Sequence, residues 1–497
     1  MFNLFRHQAI PLHRVIAQAA ARNPRVGIFL DQPLAIAPEL GCELTYASFA
    51  RLVLEASGWL RAAGVRAGDT VAIVKTNHLD VLVLGCAAAR LGAVAALILP
   101  DLEPQRCEAL LGRLERPLVI ADQAALRGAP VPPAARVPLN RPVLMTHTSG
   151  TTGVPKLAMH STASLHGHLR PQITLGRLLG IKGPIGGYVA YTHVRGFTGL
   201  LAGMQLGAAM AAPSSPEPEV VRDLFQRVRP TYIETYPNVY LRWEELGRAP
   251  DGPLANVQYF FSTFDALHPR SIRNMLAASH RRLPLFIQIY GQSELGPVTM
   301  RVSTRATARH MDGRCIGFPI PGFTRVRLAE AATGAPITSA GRTGRIQVRT
   351  DARCLTYQGE AERAASSTFG SWWYTGDLGE RSRFGCLHLL DREVEHDPRL
   401  GSALRIEDTL LDRLEGLTEA VVVVMPDGPA VPVVATRGDV PLDSVAWRYA
   451  TRGLPSLADP VQLRWADIPR TPTTKVRRGE LRNRLLAGEL SPIHASI

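Results

Sequence analysis

"MTHTSGTTGVPKLAMHS", residues 145–161, gathers six hydroxyl residues and two glycines around one lysine, Lys156. The apolar residues leading into it read as a strand, and the glycine- and hydroxyl-rich residues after them read as a polar, flexible turn. Backbone N–H groups, hydroxyl donors and an ammonium in such a turn suit the oxygens of a polyphosphate. The pattern is not a Walker loop, which needs glycine directly before the lysine and Ser or Thr directly after it. Pro155 and Leu157 hold those places here. The lysine is itself informative. Of 56 basic residues only Lys75, Lys156, Lys182 and Lys475 are lysines. A lysine retained against that background marks a candidate for chemistry that needs a compact, mobile point charge, not a planar fork.

Upstream of the stretch, the apolar runs "RVGIFLD", "DTVAIVKT" and "VAALILP" alternate with helical patterns such as "SFARLVLEASGWLRAAGV". That alternation predicts an α/β layer structure. A second cycle runs from residue 142 to 300 through "AAMAAP", "PTYIETYP", "VQYFFSTF" and "LFIQIYG". Ligands of open α/β sheets sit outside the carboxyl ends of the strands, so the turns after these strands are where a site is expected. From 312 to 390 short alternating segments rich in glycine and charge predict an antiparallel subdomain. The charged run "DREVEHDPRLGS" then precedes a new helix and strand, "RIEDTLLDRL" and "EAVVVVMP". The expected fold is α/β: a large N-terminal domain of layered α/β sheets over 1–391, with the β-rich subdomain at 312–390. A hinge near 391–396 joins it to a small, mobile α+β C-terminal domain over 392–497.

The chain is 497 residues long with a formal charge of +13. Its arginines are spread without a dense basic run, so nucleic-acid binding is not expected. The most apolar stretch, "VLVLGCAAARLGAVAALILP" at 81–100, is interrupted by Arg90 and reads as a buried helix followed by a strand; no membrane span is expected. The N-terminus lacks a signal-peptide pattern. Six cysteines without a CxxC pair or metal-type spacing predict free thiols in a reducing cytoplasm.

"TSGTTGVPK" at 148–156 resembles the phosphate-loop signature of the adenylate-forming superfamily, which includes acyl- and aryl-CoA synthetases, peptide-synthetase adenylation domains and luciferase-like enzymes. Three further motifs occur in that superfamily's order: "YGQSE" at 290–294, "YTGDLGE" at 374–380 and "PRTPTTKVRRGELR" at 469–482. The resemblance implies that Thr148, Ser149, Gly150, Thr151, Thr152, Gly153, Lys156 and Ser293 bind the phosphates of ATP. Tyr290 is the adenine-stacking candidate, Asp377 and Arg392 hold the ribose, and Glu294 holds Mg²⁺, a hard cation that takes carboxylate oxygens. "YTHVRGFTG" at 191–199 matches the family's His-containing element, placing His193 at the gate of the carboxylate pocket; Gly291 lines the same pocket. Lys475 matches the C-terminal lysine that bridges carboxylate and α-phosphate, where positive charge stabilises two anions brought together. Lys475, His193 and Glu294 are the catalytic candidates.

Two regions depart from the family pattern. "FFSTFDAL" at 260–267 carries Phe264 and Asp265 where a glycine-rich turn is usual, which implies an unusual pocket wall. The hinge reads "DREVEHDPRLGSALRIEDTLL", with Asp391 in place of glycine, Glu395 at the hinge acid and the usual lysines absent. The expected activity is ATP- and Mg²⁺-dependent conversion of a carboxylic acid to acyl-AMP and pyrophosphate. The expected acceptor is a thiol, either coenzyme A or the phosphopantetheine of a carrier protein. The degenerate hinge keeps a second outcome open: transfer to an amine, lactone formation, or activation of an unusual oxyanion such as nitrite. A third reading is a catalytically weak binding protein that retains the fold.

Overall fold

The structure, a computed structural model, describes residues 9–99, 104–121, 128–148, 155–247, 251–264, 267–471, 475–490 and 492–493. Two large sheets carry the first four-fifths of the chain. In the six-stranded sheet, Leu118–Ile120, Thr70–Val74, Val94–Ile98 and Pro142–His147 lie side by side and parallel. Pro142–His147 then pairs antiparallel with Leu157–Ser161, with His147 opposite Leu157. The Thr148 N–H donates to Lys156 O at 2.9 Å, and the Lys156 N–H donates to Thr148 Oγ1 at 3.1 Å. These two bonds join Thr148 and Lys156, on either side of the glycine- and hydroxyl-rich residues. The stretch closes on a helix start, since Ser161 caps Thr162–Leu178 through a reciprocal pair with Ser164.

The run at 81–100 forms the helix Asp80–Leu91 and the strand Val94–Ile98, joined at Gly92, whose φ of +79° ends the helix. Every residue of that helix except Arg90 is buried, which explains why its sequence is apolar all round. No helix among the described residues is long and apolar enough to cross a membrane.

The second sheet has 15 strands. Its parallel half contains Met210–Ala212, Ile185–Tyr188, Tyr232–Thr235, Tyr259–Ser262 and Leu285–Gln292. The rest is antiparallel and includes Cys315–Pro319, Thr324–Ala329, Gly344–Thr350, Trp372–Arg381 and Leu387–Arg392. The antiparallel character expected of 312–390 is therefore present, but those strands continue the large sheet: Met300 pairs with Phe318, carrying the hydrogen bonding across.

After Arg392 the chain builds a three-stranded sheet from Leu417–Val423, Val431–Thr436 and Val461–Gln462. It is flanked by the helices Ala403–Arg413, Ser444–Ala450 and Arg478–Ala487. One expectation needs correction. Cys315 and Cys386 are joined in a disulfide although 71 residues apart, because neighbouring antiparallel strands bring them together; Cys42, Cys86, Cys107 and Cys354 are free.

Candidate active site

A cavity of about 620 Å³ lies where the carboxyl ends of the parallel strands meet the last hundred residues. Thr148, Lys156, His193, Tyr290, Ser293, Glu294, Asp377, Arg392, Glu395 and Lys475 all line it, although they come from distant parts of the chain. Phe264 and Gly291 line it too. Ser149, Gly150, Thr151, Thr152, Gly153 and Asp265 lie outside the described residues.

On the phosphate-loop side, Lys156 Nζ stands 4.6 Å from the ring centroid of Tyr357. The Tyr357 hydroxyl donates to Glu294 Oε1 at 2.6 Å. Burial lowers the Lys156 ammonium's affinity for its proton, and the Glu294 carboxylate works against that shift. Glu294 is buried, and among the described residues its Oε2 accepts no hydrogen bond. A carboxylate with one oxygen fixed and one unclaimed, in a cavity that the Thr148 side of the phosphate stretch also lines, is an oxygen donor that fits a hard divalent cation.

Tyr290 and Asp377 form the next group. The Tyr290 hydroxyl donates to Asp377 Oδ2 at 2.6 Å, and Arg392 Nε lies 3.0 Å from Asp377 Oδ1. The strand register produces the ion pair directly, since Asp377 sits opposite Arg392. Gln292 adds Nε2–H donation to Asp377 at 3.3 Å and to Thr375 O at 2.7 Å. Gly291 comes after a register shift in this strand, and a Cβ there would stand 2.3 Å from Gly296 O, so only glycine fits.

His193 caps the helix Val194–Leu206. Its Nδ1 accepts the Arg195 backbone N–H at 3.1 Å, so the ring proton is on Nε2, which donates to Ser293 Oγ at 2.8 Å. Burial, then the charges of neighbours including Lys475, holds the His193 pKa well below the usual histidine range. His193 is therefore a neutral donor with a fixed tautomer, and Ser293 keeps its own hydroxyl hydrogen to give elsewhere. Phe264 packs edge-on against His193 and against Tyr236, both at 4.6 Å between centroids. Its φ of +79° is a conformation that glycine takes freely and phenylalanine does not.

The deep wall holds an ion pair that the motifs do not announce. Arg195 Nε donates to Glu234 Oε1 at 2.6 Å, and Arg195 Nη2 donates to Glu234 Oε2. Tyr232 and Thr263 hydroxyls also donate to Glu234, at 2.9 and 3.2 Å. Burial opposes the charge on Arg195, but Glu234 outweighs it and raises the guanidinium's proton affinity. Arg195 Nη1 has no acceptor among the described residues, and Arg195 lines the cavity. The available signal was Arg195 itself, a cation inside the "YTHVRGFTG" element.

Lys475 comes from the last hundred residues. Its backbone N–H donates to Thr471 Oγ1 at 3.2 Å and its carbonyl accepts from the Thr471 N–H at 2.8 Å. Glu395 lies 3.5 Å from Arg478 Nε, and burial raises its pKa against the pull of that arginine. The two halves are tied by Arg314, which makes two bonds to Asp408 at 2.6 and 2.9 Å, and by His268, 3.2 Å from Asp412.

The fold and this convergence of motifs define an adenylate-forming enzyme. The AMP-binding enzyme family model matches residues 16–130 and 122–357, and the chain belongs to that family. It is 40% identical to a 3-amino-2-hydroxy-4-methoxybenzoate diazotase of Streptomyces cremeus over 95% of this chain and 94% of that one. It is 28% identical to a 3-aminoavenalumate diazotase of a Streptomyces species, over 76% and 73% of the two chains. Among solved structures, a benzoate CoA ligase from Burkholderia xenovorans superposes with a TM-score of 0.80 at 17% identity, covering 95% of this chain and all of that one.

Proposed function

We propose that this enzyme is an ATP-dependent arylamine diazotase, in which the oxyanion activated by adenylation is nitrite. Nitrite oxygen attacks the α-phosphorus of ATP, forming a nitrous–AMP anhydride and releasing pyrophosphate. The aryl amine then attacks the nitroso nitrogen; an N–N bond forms, the N–O bond to AMP breaks and one proton is released. The resulting N-nitroso amine tautomerises to a diazohydroxide, which loses hydroxide to give the diazonium.

The observation that carries this reading is Arg195. In an acid ligase the substrate carboxylate is the reacting group and belongs at the α-phosphate. In a diazotase acting on an aminobenzoate that carboxylate survives the reaction and needs its own cation. A guanidinium already neutralised on one edge by Glu234, with Nη1 left over, suits that purpose. The relative at 40% identity, whose substrate is an aminohydroxybenzoate, supports the same choice.

Other side chains of the cavity take the remaining roles. Lys475 offers positive charge where nitrite meets the α-phosphate. Lys156 and the 148–153 turn hold the β- and γ-phosphates, the Ser293 hydroxyl adds a donor, Tyr290 stacks on adenine and Asp377 with Arg392 holds the ribose. Glu294 would hold Mg²⁺, which neutralises departing pyrophosphate when bound. Residues 1–391 act as the core, and 392–497 turn about Glu395 between half-reactions.

The test is a mass-spectrometric assay of the full chain with Mg-ATP, nitrite and 3-amino-2-hydroxybenzoate. Nitrite-dependent AMP and a product gaining one nitrogen are expected, with no requirement for coenzyme A. AMP release that needs the benzoate but not nitrite, accompanied by a thioester to coenzyme A or to a phosphopantetheine carrier, would establish the thiol ligase instead.

A further inference from the structure

At the rim of the cavity, which Cys315 itself lines, Cys315 on Cys315–Pro319 lies directly opposite His388 on Leu387–Arg392. Opposed residues of an antiparallel pair project to the same face, and Cys386, two residues before His388, shares it. One ligand atom from each of Cys315, Cys386 and His388 lies within 4.8 Å of the others. His388 Nε2 is 3.2 Å from Asp312 Oδ2, and the Asp312 carboxylate is itself fixed by the Arg314 N–H at 2.8 Å. His388 Nδ1 is buried and has no hydrogen-bond partner among the described residues. An imidazole that gives one N–H to a carboxylate and keeps its other nitrogen unused, beside two sulfurs, has the arrangement that orients metal-ligating histidines.

We propose that Cys315, Cys386 and His388 form a binding site for a borderline-soft divalent cation of the Zn²⁺ class when the disulfide is reduced. Two equivalents of a small thiol cleave the S–S bond, yielding two cysteine thiols and the small-molecule disulfide. The ion then displaces one proton from each thiol and binds two thiolates, with neutral His388 as third ligand and water as fourth. Two thiolates cancel the charge of the ion, which suits a half-buried place. The Cα atoms are 6.7 Å apart, at the long end of the range for a disulfide. Sulfurs on one tetrahedral ion stand about 3.8 Å apart, given metal–sulfur bonds of about 2.3 Å, a separation within the 4.8 Å that already bounds the three ligand atoms. Arg314, which ties the two halves through Asp408, is the neighbour of Cys315, so the site sits at the base of that tie.

Co²⁺ is the probe. The nucleotide-free full chain, reduced with a dithiol and desalted under nitrogen, is titrated with Co²⁺. Saturation at one equivalent with a thiolate-to-cobalt charge-transfer band is expected, and Zn²⁺ should bleach it. Cys386→Ser should abolish the band, His388→Ala should weaken Co²⁺ binding at least tenfold, and Cys107→Ser should change nothing. A reduced wild-type chain without the band overturns the proposal, as does a band that survives Cys386→Ser. So does a chain that still titrates as four thiols out of six cysteines after reduction.

Discussion

Lys156 Nζ lies 4.6 Å from the ring centroid of Tyr357, and the hydroxyl of that same tyrosine donates to Glu294 at 2.6 Å. One aromatic side chain thus sets the spacing between the phosphate-loop cation and the candidate metal carboxylate. Tyr357→Phe keeps the ring under Lys156 but leaves Glu294 without its donor. Losing a hydrogen bond to a charged group costs roughly 1.5–3 kcal/mol, so AMP formation should fall about 10- to 100-fold and need more Mg²⁺ for half-saturation. Unchanged Mg²⁺ dependence would detach Tyr357 from the metal site.

Lys475→Ala removes positive charge from the reacting centre while leaving the phosphate-loop contacts alone. Removal of one preorganised electrostatic partner costs about 10²–10³ in rate. Nitrite-dependent AMP formation should drop by that factor with ATP affinity, measured by calorimetry, close to wild type. Equal losses in rate and in ATP affinity would make Lys475 a ground-state binder only.

Arg195→Lys tests the carboxylate anchor. It retains charge but cannot make the two-point contact with Glu234 and still present Nη1. KM for an aminobenzoate should rise about tenfold or more, by the cost of a lost charge-assisted bond, while an aniline without a carboxylate should be used no worse than before. Parallel losses for both substrates would show a structural defect in the wall.

The strands and the buried helix at 80–91 were legible because each is local, a run of apolar residues with a period of two or 3.6. Asp377 and Arg392 were legible from motif order, and register makes them neighbours. The Arg195–Glu234 pair was not, because its partners are 39 positions apart and meet only when a helix start docks on a strand. Tyr357 reaches Glu294 through a two-residue strand that pairs with Leu157–Ser161, an edge no sequence period announces. The cysteines look scattered in one dimension and become paired only in the sheet.

Acid should unfold the chain through buried histidines. Burial lowers the pKa of His168 and of His13 from 6.5 to about 4. Between these values the unfolded chain binds protons that the folded chain does not, so stability is fully present above pH 6.5 and falls as pH drops toward 4. The fully buried His168 contributes up to about 3 kcal/mol of that loss, and His13, partly open to solvent, less. His168→Gln should flatten the decline in thermal midpoint between pH 6.5 and 4.5, and an unchanged slope would exclude His168 as one of its sources.

The bidentate contact between Arg314 and Asp408 holds the last hundred residues where Lys475 reaches the cavity. Asp408→Asn keeps the shape of the side chain but replaces a charge-assisted pair by a weaker bond, a difference of about 1–2 kcal/mol. The equilibrium constant for having Lys475 in place should fall by about 5- to 30-fold, and nitrite-dependent AMP formation with it. ATP affinity should change little, because Tyr290, Asp377 and Lys156 all come from residues before the hinge. If the pair serves only that orientation, single-turnover reaction of the preformed anhydride with the amine should not slow. A variant slowed equally in both steps would mean that Arg314 and Asp408 support the cavity itself and not the approach of Lys475.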